Sequence, residues 1–315
     1  MLAPTSIQWL RPIFLGGWGL LVILFLGCES SEPTAESNQV FVTLAPQEYL
    51  VRRLAGDRVE VAVMVPPGQP EETYEPTPEQ ITRLSRSRIY FSIGVPFEVS
   101  FLERVRENVP HLSIIDTTEG IEKREIEEHS HEEEGDHGHE HEHAHDHGIE
   151  DPHVWLDPIL MIRQAETMTR ALSQAFPESR PFFEENLKSL TSDLEKLDRK
   201  IATILEPYKG KPMYVLHPSY GYFCDRYGLI QVPVESAGKE PNSKEFVELI
   251  RRAKEDQVTS LFVQPQFASS TADVLATEIG AKVVRIDHLS KDVLANLESM
   301  ATKIAESYRP GAANG

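Results

Sequence analysis

ESRPFFEENLKSLTSDLEKLDRKIATILE, residues 178–206, is the stretch that organises the chain. Phe183, Leu187, Leu190, Leu194, Leu197, Ile201 and Ile204 recur at steps of four and three, with mostly polar residues between them. That interval lines one stripe of an α-helix, so the spacing predicts a single helix over 178–206, about 40 Å long at 1.5 Å per residue. Ser179 is the candidate N-cap, with Pro181 in the first turn. A stripe this regular suits either the seam of a coiled-coil dimer or a helix packed along two lobes. The sequence on either side favours the second.

Before the helix, Val40–Leu44, Val59–Val65, Arg88–Gly94 and Ser113–Thr117 read as strands, with helices near 46–55, 78–86 and 98–108. After it come strands Met213–His217, Ile230–Val234, Ser260–Gln264 and Lys282–Asp287, with helices near 219–227, 243–256, 268–279 and 291–307. Strands alternating with helices imply parallel, covered sheets. The expected fold is therefore α/β: two Rossmann-like lobes, residues 40–177 and 207–309, joined by the long helix over 178–206. Residues 310–315 form a short tail.

The 315 residues carry 31 Lys plus Arg against 50 Asp plus Glu, a net charge of −19. Segment 119–151 holds −12 of it. Such a balance excludes nucleic acid as the expected partner, because phosphate binding needs clustered cations. Two cysteines, Cys28 and Cys224, are too few for a disulfide framework. Cys224 reads as a small buried apolar residue.

Residues 1–28 read as a secretory signal: Arg11 is the only charge before an apolar run from Ile13 to Leu26. That run is shorter than the roughly 20 residues a bilayer span needs. Phe25-Leu26-Gly27-Cys28 resembles a lipoprotein cleavage box, although Phe25 stands where an aliphatic residue is usual. Cys28 is then the lipidated residue, 29–39 the tether, and the location the periplasm or the outer face of the plasma membrane. The alternative is an ordinary cleaved signal or a short anchor in which Cys28 is incidental.

Eight of the 12 histidines, His129, His131, His137, His139, His141, His143, His145 and His147, fall in one acidic low-complexity stretch within 119–150. It contains too little apolar surface to offset the entropy of ordering, so a disordered loop is expected. Neutral imidazole suits zinc, copper and nickel. A loose loop captures such ions weakly and does not build one tight site. Two literal H-E-x-x-H matches occur here, but the protease motif needs an amphipathic helix, and the segment has no apolar face.

The isolated histidines carry more. His153 lies in Asp151-Pro152-His153-Val154-Trp155-Leu156-Asp157-Pro158, where Asp157 and Pro158 look like the cap and first residue of a helix. His217 and Asp287 end two strands of the second lobe, and ligands in open α/β sheets bind outside the carboxyl ends of strands. Tyr74, Trp155, Tyr220 and Tyr222 read as core residues first and cleft walls second.

The pieces Pro66-Pro67-Gly68…Tyr74-Glu75-Pro76-Thr77-Pro78, Asp151–Pro158, His217…Gly221-Tyr222-Phe223…Tyr227-Gly228-Leu229 and Phe262-Val263-Gln264-Pro265-Gln266-Phe267 occur in one order. In that order they resemble the zinc/manganese solute-binding proteins of bacterial ABC importers, over roughly residues 40–308. The resemblance implies one metal ion in the cleft between lobes, held from four places, and delivery to the transmembrane permease subunit. The second, third and fourth ligand positions match His153, His217 and Asp287. At the first, where the family carries His, this chain has Glu71-Glu72-Thr73-Tyr74-Glu75-Pro76, and ungapped alignment puts Glu72 there. Either Glu72 coordinates, with Glu71 the lesser candidate, or it faces water and solvent completes a His153–His217–Asp287 site.

Carboxylate oxygens shift such a site toward Mn²⁺ or Fe²⁺, whereas imidazole suits Zn²⁺. Manganese-type members carry Glu at the position of His217, so Zn²⁺ is expected and Mn²⁺ is second. A full set of four protein ligands fits carriage better than catalysis, and a monomer is expected. The rivals are a zinc hydrolase using Glu72 or Glu75 as base, and a surface adhesin or zinc buffer on the same fold.

Overall fold

The computed structural model describes residues 37–126, 150–235, 239–267 and 270–309. The signal with Cys28, most of the tether, the histidine run His129–His147 and the tail lie outside the described residues. Strands β1 (Gln39–Val42), β2 (Glu60–Val63), β3 (Ile89–Ser92) and β4 (Ser113–Asp116) form one sheet in the order β2-β1-β3-β4. Strands β5 (Pro212–Val215), β6 (Ile230–Pro233), β7 (Ser260–Val263) and β8 (Lys282–Arg285) form the second, in the equivalent order β6-β5-β7-β8. Every pairing is parallel, with Phe41 opposite Ala62 and Tyr90, and Val215 opposite Phe262.

The sequence of each strand matches its place. Central β3 and β7, rich in aromatic and branched residues, are buried along their whole length, as strands covered on both faces must be. Edge β4 and β8 carry Ser113, Asp116, Lys282 and Arg285, which blunt an open edge. The helices are α1 (Ala45–Ala55), α2 (Pro78–Leu84), α3 (Glu98–Asn108), α4 (Pro158–Ala175), α5 (Arg180–Leu205), α6 (Gly221–Tyr227), α7 (Ser243–Glu255), α8 (Ser270–Ile279) and α9 (Val293–Ser307).

Helix α5 lies against α1 and α4 of the first lobe and α9 of the second. Phe183, Leu190, Leu194, Leu197, Ile201 and Leu205 are buried there, so the apolar stripe is occupied within the chain. Leu187 and Ile204 are only partly buried, and Leu205 takes the last core position. These residues belong to one apolar cluster that runs from Val40 and Phe91 through α5 to Leu297 and Ile304. Smaller clusters seal the other face of each sheet. A shared core of this kind resists hinge motion, because packed interiors deform poorly.

The strands stop about two residues earlier than the sequence suggests, so His217 and Asp287 stand in the loops beyond β5 and β8. Ser179 precedes α5 with helical backbone angles and makes no side-chain cap bond. The region expected to be disordered from residue 119 instead keeps fixed contacts through residues 121–126. Glu125 bridges Glu150, and Asp151 N–H donates to the Arg124 carbonyl at 2.8 Å. At the top of the first sheet, buried Glu98 accepts from Ile93 N–H at 3.0 Å, Gly94 N–H at 2.6 Å and the hydroxyls of Tyr90 and Thr43. That network fixes the ends of β1 and β3 at the point where strand order reverses.

Replacing Leu194, which is fully buried in α5, with Ala should cost about 2–5 kcal/mol, the range for truncating a core leucine. A urea melt in which Leu194→Ala unfolds at the wild-type midpoint would contradict this role for the helix.

Candidate metal centre

Loops at the carboxyl ends of five strands bring the candidate donors to the seam between the lobes. The loop after β2 brings Glu71 and Glu72. It is clamped by Gln80, which accepts from the Tyr74 hydroxyl at 2.7 Å, donates to the Met64 carbonyl at 2.6 Å and closes the capping box of α2 with Thr77. Beyond β4, Asp151 and His153 sit just before a 3₁₀ turn over Val154–Leu156. Asp157 then caps α4, accepting from Ile159 N–H at 2.7 Å with Pro158 at the first position. The second lobe adds His217 after β5, Glu235 after β6, and Asp287 and His288 after β8.

His153 is fully buried. Its Nδ1 lies 2.7 Å from Asp151 Oδ1. A carboxylate only accepts, so Nδ1 carries the proton and Nε2 faces the seam. Asp151 is held in turn by Arg124 Nη1 at 3.1 Å, and Arg124 reaches Asp225 at 3.0 Å. Gly221 leaves the room for this: a Cβ there would fall 1.2 Å from Arg124 Nη1. His217 stacks on Phe267 at 4.8 Å between ring centres and lies between two carboxylates. Its Nε2 is 2.8 Å from Glu72 Oε1 and its Nδ1 is 3.5 Å from Glu235 Oε2. Neither contact has hydrogen-bond alignment. His288 Nε2 is 2.7 Å from Glu71 Oε1, and the Trp155 indole N–H donates to the His288 carbonyl at 2.8 Å.

Two sets of donors have all their ligand atoms within 4.8 Å of one another: Glu72–His153–His217 and Glu71–His153–His288. Sequence reasoning nominated Glu72, His153 and His217, and the structure brings these three together. Asp287 belongs to neither set among the described residues. Its Oδ1 accepts from Gln266 Nε2 at 2.8 Å and Leu289 N–H at 3.0 Å. Glu235 and His288 were missed. Their signal was positional, since each follows a strand of the second sheet. Glu75 is exposed and belongs to neither set.

Burial works against protonating His153, but the Asp151 and Glu71 carboxylates outweigh it and push its pKa up to about 10. His217 is likewise raised: burial opposes the charge, and Glu235 and Glu72 overcome it. Glu71 is held well below the usual carboxylate range, because His288 and His153 outweigh its burial. These directions mark a seam that favours positive charge beside the buried Glu71 carboxylate. A divalent cation held by the imidazole nitrogens and carboxylate oxygens would supply that charge.

Trp155, Tyr220 and Tyr222 are buried in the core, as read from the sequence. Trp155 and Tyr222 also serve the site, since the Tyr222 hydroxyl donates to the Asp151 carbonyl at 3.0 Å and accepts from Arg124 N–H at 3.1 Å.

A pocket of this make-up, on two stiffly joined parallel α/β lobes, defines a metal-ion binding protein of the two-lobed type. The sequence family described as ZnuA, zinc-uptake complex component A, periplasmic, matches residues 40–307, and the chain belongs to that family. It is 28% identical over 289 residues to the high-affinity zinc uptake system protein ZnuA of Bacillus subtilis (strain 168), covering 89% of this chain and 86% of that one. It is also 28% identical over 261 residues to the manganese ABC transporter substrate-binding lipoprotein PsaA of Streptococcus mitis, covering 78% and 79%. Among solved structures, a zinc-bound ZnuA deletion mutant superposes with a TM-score of 0.78 at 34% identity, covering 87% of this chain and 100% of that one.

Gly221→Ala should displace Arg124 from Asp151 and weaken zinc binding roughly 10- to 100-fold, the usual penalty for disturbing the partner of a metal-binding histidine. Unchanged affinity, measured by competition with a chromophoric chelator, would show that Asp151 orients His153 without help from Arg124.

Proposed function

We propose that this chain is the extracytoplasmic zinc-binding component of an ABC importer, taking one Zn²⁺ at the seam of its lobes and passing it to a membrane permease. The observation that carries this reading is the convergence of Glu72, His153 and His217 from separate loops of both lobes onto one small volume. Asp287 is the fourth donor through Oδ2, which takes no hydrogen bond among the described residues. Four protein donors leave no place for a reacting substrate, so the protein carries its ion and does no catalysis. It works as a monomer tethered by lipid at Cys28. The loop from His129 to His147 raises the local zinc concentration and feeds the cleft.

Zinc is preferred over manganese because the donor atoms include imidazole nitrogens, which Mn²⁺ favours less than Zn²⁺ does. The carboxylates Glu72 and Asp287 make manganese the second choice.

Titration of the mature protein, whole and lacking residues 127–148, should give one tight zinc site in both forms, with additional weak sites only where the loop is present. Loss of the tight site on removing the loop would refute the cleft assignment. His153→Ala should remove tight binding altogether, and Glu72→Ala should weaken it less.

The raised pKa of His153 sets the direction of the pH response. At neutral pH the ion must displace a proton, so affinity should rise with pH through the neutral range and fall as the solution is acidified. Calorimetry at pH 7 in buffers of different ionisation enthalpy should show proton release on zinc binding. Heats independent of the buffer would contradict it.

A further inference from the structure

The geometry points to a second coordination position in the same seam, formed by Glu71, His153 and His288, so that one cation has two alternative places that share His153 Nε2. This rests on the reading of the seam as a zinc site and adds to it an inner position that the matched ligand positions do not include.

Glu71, His153 and His288 are all buried, with exposures of 0%, 0% and 1%. Glu71 Oε1 lies 3.5 Å from His153 Nε2, a spacing that suits two donors around a zinc ion about 2.0–2.2 Å from each, and 2.7 Å from His288 Nε2, a hydrogen bond that an entering ion would have to part. Glu71 Oε2 and His288 Nδ1 are buried without hydrogen-bond partners among the described residues. A buried carboxylate oxygen left unpaired is costly unless a cation comes to it. The ring centres of His153 and His288 stand 6.0 Å apart, close to the 5.8 Å between His153 and His217, so the two sets present similar openings to an ion.

His288 is also pre-positioned. Trp155, two residues beyond His153, holds its carbonyl at 2.8 Å and stacks beside its ring at 6.4 Å between centres. Nδ1 of His153 is engaged by Asp151, which leaves Nε2 as the only nitrogen available to either set. A neutral imidazole nitrogen has one lone pair, so the two positions exclude one another and the seam holds a single ion. They differ in exposure: the Glu72 side chain is 19% exposed, whereas the Glu71 side chain is fully buried.

Zinc titration of wild type, His217→Ala, His288→Ala and the double variant tests this. Two alternative positions predict that each single variant keeps one tight zinc, because the other set survives, and that the double variant loses it. X-ray absorption should count two imidazoles on the zinc of His217→Ala. Glu71→Gln combined with His217→Ala should lose tight binding as the double histidine variant does, which guards against a folding defect peculiar to His288. If His217→Ala alone abolishes tight binding and His288→Ala leaves it at the wild-type value, the inner position is refuted while the importer reading stands. If wild type takes up no zinc, it is the importer reading that fails.

Discussion

Two consecutive carboxylates of one lobe each face an imidazole of the other: Glu72 meets His217 and Glu71 meets His288 across the seam. The rest of the site depends on this pairing. Glu71 is fully buried beside a half-buried Glu72, so the two carboxylates repel one another and Glu71 loses its hydration, a cost that stands unless positive charge is brought to it. His153, reached by both sets, is where that charge concentrates. The shared apolar core behind α5 limits how far the lobes part.

The supporting contacts follow from the need to hold nitrogen lone pairs in fixed directions. Asp151 fixes the proton on His153, Arg124 fixes Asp151, and Gly221 makes space for Arg124. Arg124 also stands at the base of the segment leading into the histidine run, three residues before Glu127. One side chain therefore ties the described stretch 121–126 to the orientation of the His153 imidazole. This gives a physical reason for the ordered contacts at 121–126, which composition alone did not reveal.

Much of the fold was legible because periodicity reports burial directly. The four-three steps of residues 183–204 identify α5, and the short branched runs identify all eight strands within about two residues. The helix cap at Asp157 was readable because a carboxylate before Pro158 has one obvious local use. The cap at Ser179 was not realised, since its backbone is already helical there. At the site, residue type and strand-end position pointed to His217 and Asp287, and the family resemblance added Glu72 and marked His153 as a ligand position. They do not give the rotamer of Asp287, whose oxygen is drawn to Gln266 and the Leu289 amide. Nor do they distinguish Glu235 or His288 from ordinary loop residues, because a single polar residue after a strand has no periodic signature. Their role comes from the equivalence of the two sheets, which places the loops after β2 and β6, and those after β4 and β8, at matching corners.

The central claim is that His153 Nε2 is the fixed point around which a zinc ion is held. Anomalous diffraction at the zinc edge, from crystals grown with one equivalent of zinc, tests it most directly. The account predicts an anomalous peak about 2.0–2.1 Å from that nitrogen, flanked by a carboxylate of Glu71 or Glu72 and an imidazole of the opposite lobe. A fully occupied zinc peak beyond bonding distance of His153 would contradict it.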